Sequence, residues 1–230
     1  MTKKPPMLCM TATQGCALIL PVSVGEVSVM TSLMEGVTAA VLAGGQSQRM
    51  GQDKSDLVRP DGRTQLVFTL ECLERAGIRR TLLSGVSHDH YQRIDDIHKN
   101  IGPLGGIHAL LHAITSNKAA AADALSTDAL IVVPCDMPYL SGDVFHHLEN
   151  TSKQTGKSTA YAGSFFPFII RDVSAALASL NSILNSDRKN SIKHFLLSLD
   201  SDFIDPKNTE NLKSCNTQED WRDFLDGRKN

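Results

Sequence analysis

The chain has 230 residues, of which 41% are hydrophobic and 21% charged, with a formal net charge of -2. This is an ordinary composition for a soluble globular protein long enough to bury an α/β core. The near-neutral balance gives no overall attraction for nucleic acid or an anionic membrane, so an anionic ligand must be held by local cations and backbone amides.

Lys3 and Lys4 precede the mildly apolar "MLCMTATQGCALILPVSVGEVSVM", which superficially resembles a secretory leader. Thr11, Thr13, Gln14 and Gly15 interrupt it, and its strongest run, "ALILPV", is too short to span a bilayer. Residues 1–36 are therefore read as an unstructured extension or an over-called start with Met30 or Met34 first; residues 37–230 form the domain. "VTAAVL" (Val37 to Leu42), closed by Gly44 and Gly45, has the continuous apolarity of a strand buried on both faces. Leu66, Val67, Leu70 and Leu73 share a helical face that ends near Gly77. "TLLSG" (Thr81 to Gly85) predicts a second strand, and "GPLGG" (Gly102 to Gly106) opens a helix with Ile107, Leu110, Leu111 and Ile114. "TSNKAAAADALSTD" is a helix extension or a surface loop, and "ALIVVP" (Ala129 to Pro134) is the clearest strand. Helices are expected near 142–150, 172–180, 190–199 and 218–226, with a strand near "STAYAG". The alternation of strand and helix predicts an α/β fold: a three-layer α/β/α arrangement around a mostly parallel, Rossmann-like sheet. Cys9, Cys16, Cys72, Cys135 and Cys215 are odd in number, scattered and without a C-x-x-C pair, which favours a reducing compartment over a disulfide framework or zinc site.

Ligands of open α/β sheets collect beyond the carboxyl ends of the strands. "LAGGQSQRMGQDK" (Leu42 to Lys54) leaves one such end. Gly44 and Gly45 allow close approach of backbone N–H groups to phosphate, Arg49 offers a two-pronged contact and Lys54 a mobile charge. The stretch is neither G-x-x-x-x-G-K-[ST] nor G-x-G-x-x-G. A bare glycine turn beside surface cations accounts for it equally well. Asp136, in "VVPCDMP", directly follows the central strand, where it either holds Mg²⁺ or starts a turn ahead of Pro138. His108 and His112 stand four apart on a helix, but without a Glu or third ligand, and are expected on the surface. The loop cluster of His88, Asp89 and His90 is read the same way, and Cys135 as a small packing residue. Asn216 followed by Glu219 has the spacing of a helix capping box, which accounts for both residues.

"LAGGQSQRMGQDK", "GPLGG" and "PCDMP", in this order and spacing, resemble the molybdenum cofactor guanylyltransferases, the MobA family of the nucleotidyltransferase fold. The likeness covers about residues 37 to 225. It implies that Leu42, Ala43 and Gly44 line a guanine nucleotide, that Lys54 touches its phosphates, and that Asp96 is a further nucleotide contact, with Asp95 one residue away. Ser84 stands where many relatives have asparagine. Asp136 matches the ligand of Mg²⁺, the implied cofactor, and also touches the nucleotide. Arg49, Lys54 and Asp136 are the residues expected to act in catalysis. "CNTQEDW" resembles the family's closing "NTPEDL", which gives Asn216 a possible contact to the metal region beside its capping role. Phe166 before Pro167 replaces the usual histidine on the side that faces the acceptor. Arg188, Lys189 and Lys193 in "RKNSIKHFL" match a basic segment there, although a solvated helix face is the default.

The implied reaction moves GMP from GTP to the terminal phosphate of molybdenum-molybdopterin and releases pyrophosphate. The implied partners are GTP and molybdenum-molybdopterin, with transient contact to cofactor-synthesis proteins or molybdoenzymes, no nucleic acid and no membrane, in the cytoplasm. The rivals are a cytidylyl- or sugar-phosphate nucleotidyltransferase of the same fold, and a nucleotide-binding regulator that has lost turnover.

Overall fold

Strand β1 (Val37–Leu42) is buried along its whole length, as its unbroken apolarity requires of a strand covered on both sides. In this computed structural model, which describes residues 33–44, 53–98, 101–120, 127–186 and 191–227, β1 lies at the middle of the sheet. It is followed by α1 (Gln65–Arg75), β2 (Arg80–Ser84), β3 (Gln92–Ile94), α2 (Pro103–Ala120) and β4 (Ala129–Pro134). The second half contains α3 (Gly142–Thr155), β5 (Thr159–Tyr161), β6 (Phe168–Ile170), α4 (Val173–Leu184), α5 (Ile192–Ser198), β7 (Asp202–Ile204) and α6 (Gln218–Leu225). The strand order is β3-β2-β1-β4-β6-β5-β7. β1 is parallel to β2 and β4, β2 to β3 and β5 to β7, while β6 runs antiparallel to both β4 and β5. The expected three-layer, mostly parallel sheet is what forms.

Alternate side chains feed two separate cores. Ala39 and Val41 of β1, with Ile131 and Val133 of β4, pack against Leu66, Leu70 and Leu73 of α1 and Val144, Phe145 and Leu148 of α3. Ala40 and Leu42, with Leu130 and Val132, face Ile107, Leu110 and Leu111 of α2 and residues of α4 and α5. Met34, buried under α1 and α3, already belongs to the first core, and its N–H donates to Gly77 O (3.2 Å).

Most expected helices occur within a few residues of their predicted bounds. Thr64 caps α1, its hydroxyl accepting from Val67 N–H, and Gly77, at φ +85°, turns the chain out of it. The first part of "TSNKAAAADALSTD" extends α2 to Ala120; residues 121–126 lie outside the described residues. Strands β3, β6 and β7 were not foreseen. Each has three residues, too few to carry a period, and each is fixed by the neighbour it pairs with.

His108 corrects an expectation. It is buried, and its Nε2 lies 2.7 Å from Asn181 Oδ1 of α4. The first half of α2 is covered by the sheet on one side and α4 on the other, so its buried stripe extends to a residue that a single apolar face would leave in water. His112, one turn further, is exposed as expected.

Candidate active site

The site is assembled from three chain segments at the carboxyl ends of β1 and β4. Asp53 accepts from Ser55 N–H (3.0 Å), and so caps the 3-10 turn Lys54–Asp56 that presents Lys54. Leu57, at the end of this turn, packs with Cys215 and Trp221, which moors the turn to the C-terminal helix α6. Beyond β4 the pairing continues for one residue, with Cys135 N–H donating to Leu42 O (3.1 Å), and then releases Asp136. Asp136 O in turn accepts from Cys215 N–H (2.8 Å). Arg59 braces the following loop: it donates to Pro138 O (3.0 Å) and lies over the rings of Phe68 and Phe224.

These constraints bring together residues far apart in sequence. Lys54 Nζ donates to Asp136 Oδ2 at 2.8 Å and to Asn216 Oδ1 at 3.1 Å. The ion pair is partly shielded, with the two side chains 19% and 17% exposed. Asp136 Oδ1 is inaccessible to solvent and accepts no hydrogen bond among the described residues.

Asn216 is free for this contact because the capping box falls one residue later than its spacing suggested. Thr217 is the N-cap of α6 and Asp220 its reciprocal partner, in place of Asn216 and Glu219. Burial pushes the Asp220 carboxyl up, but the N–H groups of Asn216 and Thr217, the Thr217 hydroxyl and the nearby Lys54 outweigh it, leaving its pKa below the ordinary value. Asn216 thus contributes its backbone to the cap and its side-chain oxygen to Lys54.

A second group of residues lines the ends of β1 and β2. Asp96 accepts from Ser84 Oγ (3.0 Å), at the end of β2. Asp95, one residue earlier, pairs instead with Arg93 (2.6 Å) and is largely exposed, so Asp96 is the aspartate placed against the strand ends. The start of α2 closes on the same spot. A Cβ on Gly106 would stand 2.6 Å from Ser84 Oγ and 3.3 Å from Leu42 Cδ2, and one on Gly105 would stand 2.7 Å from His98 O. Ala43 and Leu42 are buried at the base of this wall.

Gly44 departs from the role expected of it. Its N–H, like that of Ala43, donates to Ser84 O (2.9 and 3.0 Å), so neither amide is open to a phosphate. The glycine is needed for packing: a Cβ on Gly44 would stand 2.6 Å from Gly85 Cα, and one on Gly85 only 2.1 Å from Gly44 Cα. The two strand ends meet backbone to backbone. Gly85, at φ +89°, is the partner the sequence reading missed, and its signal was a glycine closing an apolar run beside another such run. Arg49 and Gly45 lie outside the described residues, as do Arg188 and Lys189. Lys193 is exposed on α5. The antiparallel register Val132↔Phe168 carries Phe166 toward Pro134, beside the strand end that leads to Asp136.

This arrangement suits an anionic, phosphate-bearing ligand better than a nucleophilic side chain. Cys135 and Cys215 stand beside Asp136, and burial, reinforced by carboxylates that include Asp136, pushes both up to about 12, which leaves them protonated and inert. Among the described residues no cluster of three His, Cys, Asp or Glu is arranged to hold a metal ion by itself. Mg²⁺ does not need one, since it commonly takes one or two carboxylates and completes its shell with substrate phosphates and water. Asp136 Oδ1, buried and without a hydrogen-bond partner among the described residues, fits such a ligand.

A family model described as "MobA-like NTP transferase domain" matches residues 39–206. The chain is 33% identical to the molybdenum cofactor guanylyltransferase of Xanthomonas euvesicatoria, over 80% of this chain and 92% of that protein. Its fold is similar to the crystal structure of molybdopterin-guanine dinucleotide biosynthesis protein A from Archaeoglobus fulgidus, with a TM-score of 0.63, 19% identity, and coverage of 82% and 97% of the two chains. It is nearly as similar to 2-C-methyl-D-erythritol 4-phosphate cytidylyltransferase from Thermus thermophilus, with a TM-score of 0.61, 13% identity, and coverage of 85% and 99%. Fold alone therefore does not separate the guanylyl and cytidylyl branches. The match to the family model over most of the chain, with a curated relative aligned nearly end to end, makes this chain an enzyme of the MobA-like nucleotidyltransferase family.

Proposed function

We propose that the protein transfers GMP from GTP to the terminal phosphate of molybdenum-molybdopterin. The observation that carries this reading is the meeting of Lys54 and Asp136, 82 residues apart, at 2.8 Å over the carboxyl ends of the central strands. It is supported by relatives named for guanylyl transfer.

An oxygen of the acceptor phosphate attacks the α-phosphorus of GTP. A new P–O bond forms as the bond from the α-phosphorus to the bridging oxygen of the pyrophosphate breaks, and the electron pair leaves with pyrophosphate. The acceptor phosphate is already ionised at neutral pH, so no side chain has to remove a proton. The residues supply alignment and charge neutralisation instead. Lys54 faces the phosphates and offsets charge on the departing pyrophosphate, and Arg49 assists from the glycine-rich segment. Asp96 and Ser84, with Leu42, Ala43 and the close-packed start of α2, form the wall for the nucleoside. Asp136, through Oδ1, would hold Mg²⁺, whose chemistry is to withdraw charge from the α-phosphate. Phe166 lies on the side left for the acceptor. The same reading locates the reaction in the cytoplasm, supported by the free thiols of Cys72, Cys135 and Cys215.

Titration calorimetry with GTP, CTP and UTP in the presence of magnesium tests the nucleotide, and pyrophosphate release upon mixing GTP with isolated cofactor tests turnover. Magnesium-dependent binding of GTP alone is expected. Preference for CTP would move the protein to the cytidylyl branch, and binding without release would make it a regulator.

A further inference from the structure

We infer that Lys54 acts as a counter-ion latch on Asp136, so that the free protein takes up a divalent cation only together with a nucleotide. The inference rests on the nucleotidyltransferase reading of this site and adds an order of events to it.

Lys54 commits two of its three donors to partners on distant segments, Asp136 Oδ2 at 2.8 Å and Asn216 Oδ1 at 3.1 Å. Through the first contact the ammonium neutralises part of the Asp136 carboxylate's charge. The second partner is a neutral acceptor, placed there because the capping box of α6 leaves the Asn216 side chain unused. Asp136 Oδ1 remains dry and without a hydrogen-bond donor among the described residues. A cation arriving alone at Oδ1 would meet a carboxylate already paired and an ammonium group across it, in a partly shielded site where like charges repel more strongly than in water.

A nucleotide changes this balance. Its phosphates offer the Lys54 ammonium a more highly charged partner than one carboxylate, and the flexible lysine stem allows the head group to move. Once Lys54 turns to the phosphates, Asp136 regains its full charge, and phosphate oxygens join it as ligands. Nucleotide therefore raises the affinity for the cation, and the cation raises that for nucleotide by the same factor. The lysine keeps the acidic site from filling with metal when no substrate is present.

The test is Mn²⁺ binding to the full chain, read from the electron paramagnetic resonance signal of the free ion. It is run without nucleotide and with a GTP analogue carrying a methylene bridge between the α- and β-phosphorus, which cannot be transferred. Lys54→Met, with Lys54→Gln as a second variant should the first fold poorly, should tighten Mn²⁺ binding in the absence of nucleotide by about fivefold or more, the low end of usual coupling between sites. Adding Asp136→Asn to either variant should abolish that gain. The parent should gain Mn²⁺ affinity with the analogue, and the Lys54 variants should gain less. Unchanged or weaker Mn²⁺ binding by both Lys54 variants without nucleotide overturns the latch, as does a gain that survives Asp136→Asn. Failure of the parent to bind the GTP analogue would sink the guanylyl reading instead, and the measurements without nucleotide would still decide the latch.

Discussion

Lys54 and Asp136 meet at the strand ends where their motifs had put each of them. Both were legible because their motifs combine a cation or carboxylate with the end of an apolar strand. Asn216 was legible as a cap and, through the resemblance alone, as a contact to the metal region; its contact with Lys54 depends on which of two adjacent residues begins α6, a choice settled by the reciprocal pair Thr217 and Asp220. Asp136→Asn keeps the side chain's shape but removes the charge that pairs with Lys54 and would ligate the metal. It should lower the rate of pyrophosphate release by about a hundredfold or more, the scale seen when one electrostatic stabiliser is lost. Thermal melting of the same variant should stay close to the parent, and a collapse of the fold would point to a structural role. The neighbouring aspartates give a finer comparison. Asp96 faces Ser84 inside the strand-end wall, whereas Asp95 pairs with Arg93 in the open. Asp96→Asn should weaken GTP binding about tenfold, in keeping with a hydrogen bond to a charged group. Asp95→Asn should leave calorimetric GTP binding within about twofold, because exposed ion pairs contribute little; the reverse ranking would mean that the motif is aligned one residue out.

At the scale of elements, long apolar runs were readable, but of the four three-residue strands only β5 was. β1 and β4 are buried on both faces and announce themselves by continuous hydrophobicity, and α1 by its apolar period and threonine cap. β3 consists of Gln92, Arg93 and Ile94 at the sheet edge, and its strand character comes from pairing with β2. β6 reverses direction between β4 and β5, which no local pattern encodes. The glycine motif was legible as special, yet for an incomplete reason. Gly44 serves the packing of β1 against the end of β2, a long-range fact visible only once Gly85 is known to lie beside it. Two alanine substitutions separate the backbone effect from the packing effect. Gly62 and Gly85 both have positive φ, +81° and +89°, but a Cβ on Gly62 meets nothing within 4 Å. Gly62→Ala should therefore cost about 1–2 kcal/mol, from the left-handed backbone alone. Gly85→Ala must also push against the Gly44 backbone, and should cost about 3 kcal/mol or more, in the range reserved for overpacking and strained backbone. Urea unfolding of the two variants against the parent reads the difference, and equal losses would show that the strand ends can separate freely.

At the scale of the whole molecule, the described residues form a sheet between two cores, with a smaller cluster of Leu57, Cys215, Trp221 and Phe224 tying α6 to the Lys54 turn. The free thiols are distributed through this architecture: Cys72 and Cys135 in the first core and Cys215 in the small cluster. Burial pushes all three up, Cys135 and Cys215 to about 12. In the unfolded chain the same thiols ionise at about 8.5. Between these limits the folded state holds protons that the unfolded state has released. Stability must then fall as the pH rises, by about 1.4 kcal/mol per unit for each thiol that stays protonated, while below about pH 8 the contribution is fully present. Tyr91, also pushed up to about 12 by burial and by its hydrogen bond to Glu74, adds to the loss above about pH 10. The urea midpoint should thus be level from about pH 7 to 8 and decline steadily from about 9 to 11. Cys135→Ala would shallow the decline by removing one of these protons, at some cost in packing at neutral pH. Iodoacetamide at pH 8 supplies the independent reading: Cys72, Cys135 and Cys215 should remain unmodified in the native protein and react once urea unfolds it. Rapid native alkylation of Cys135 or Cys215 would mean that the wall between the Lys54 turn and α6 opens far more readily than its packing allows, and with it the site that Lys54, Asp136 and Asn216 share.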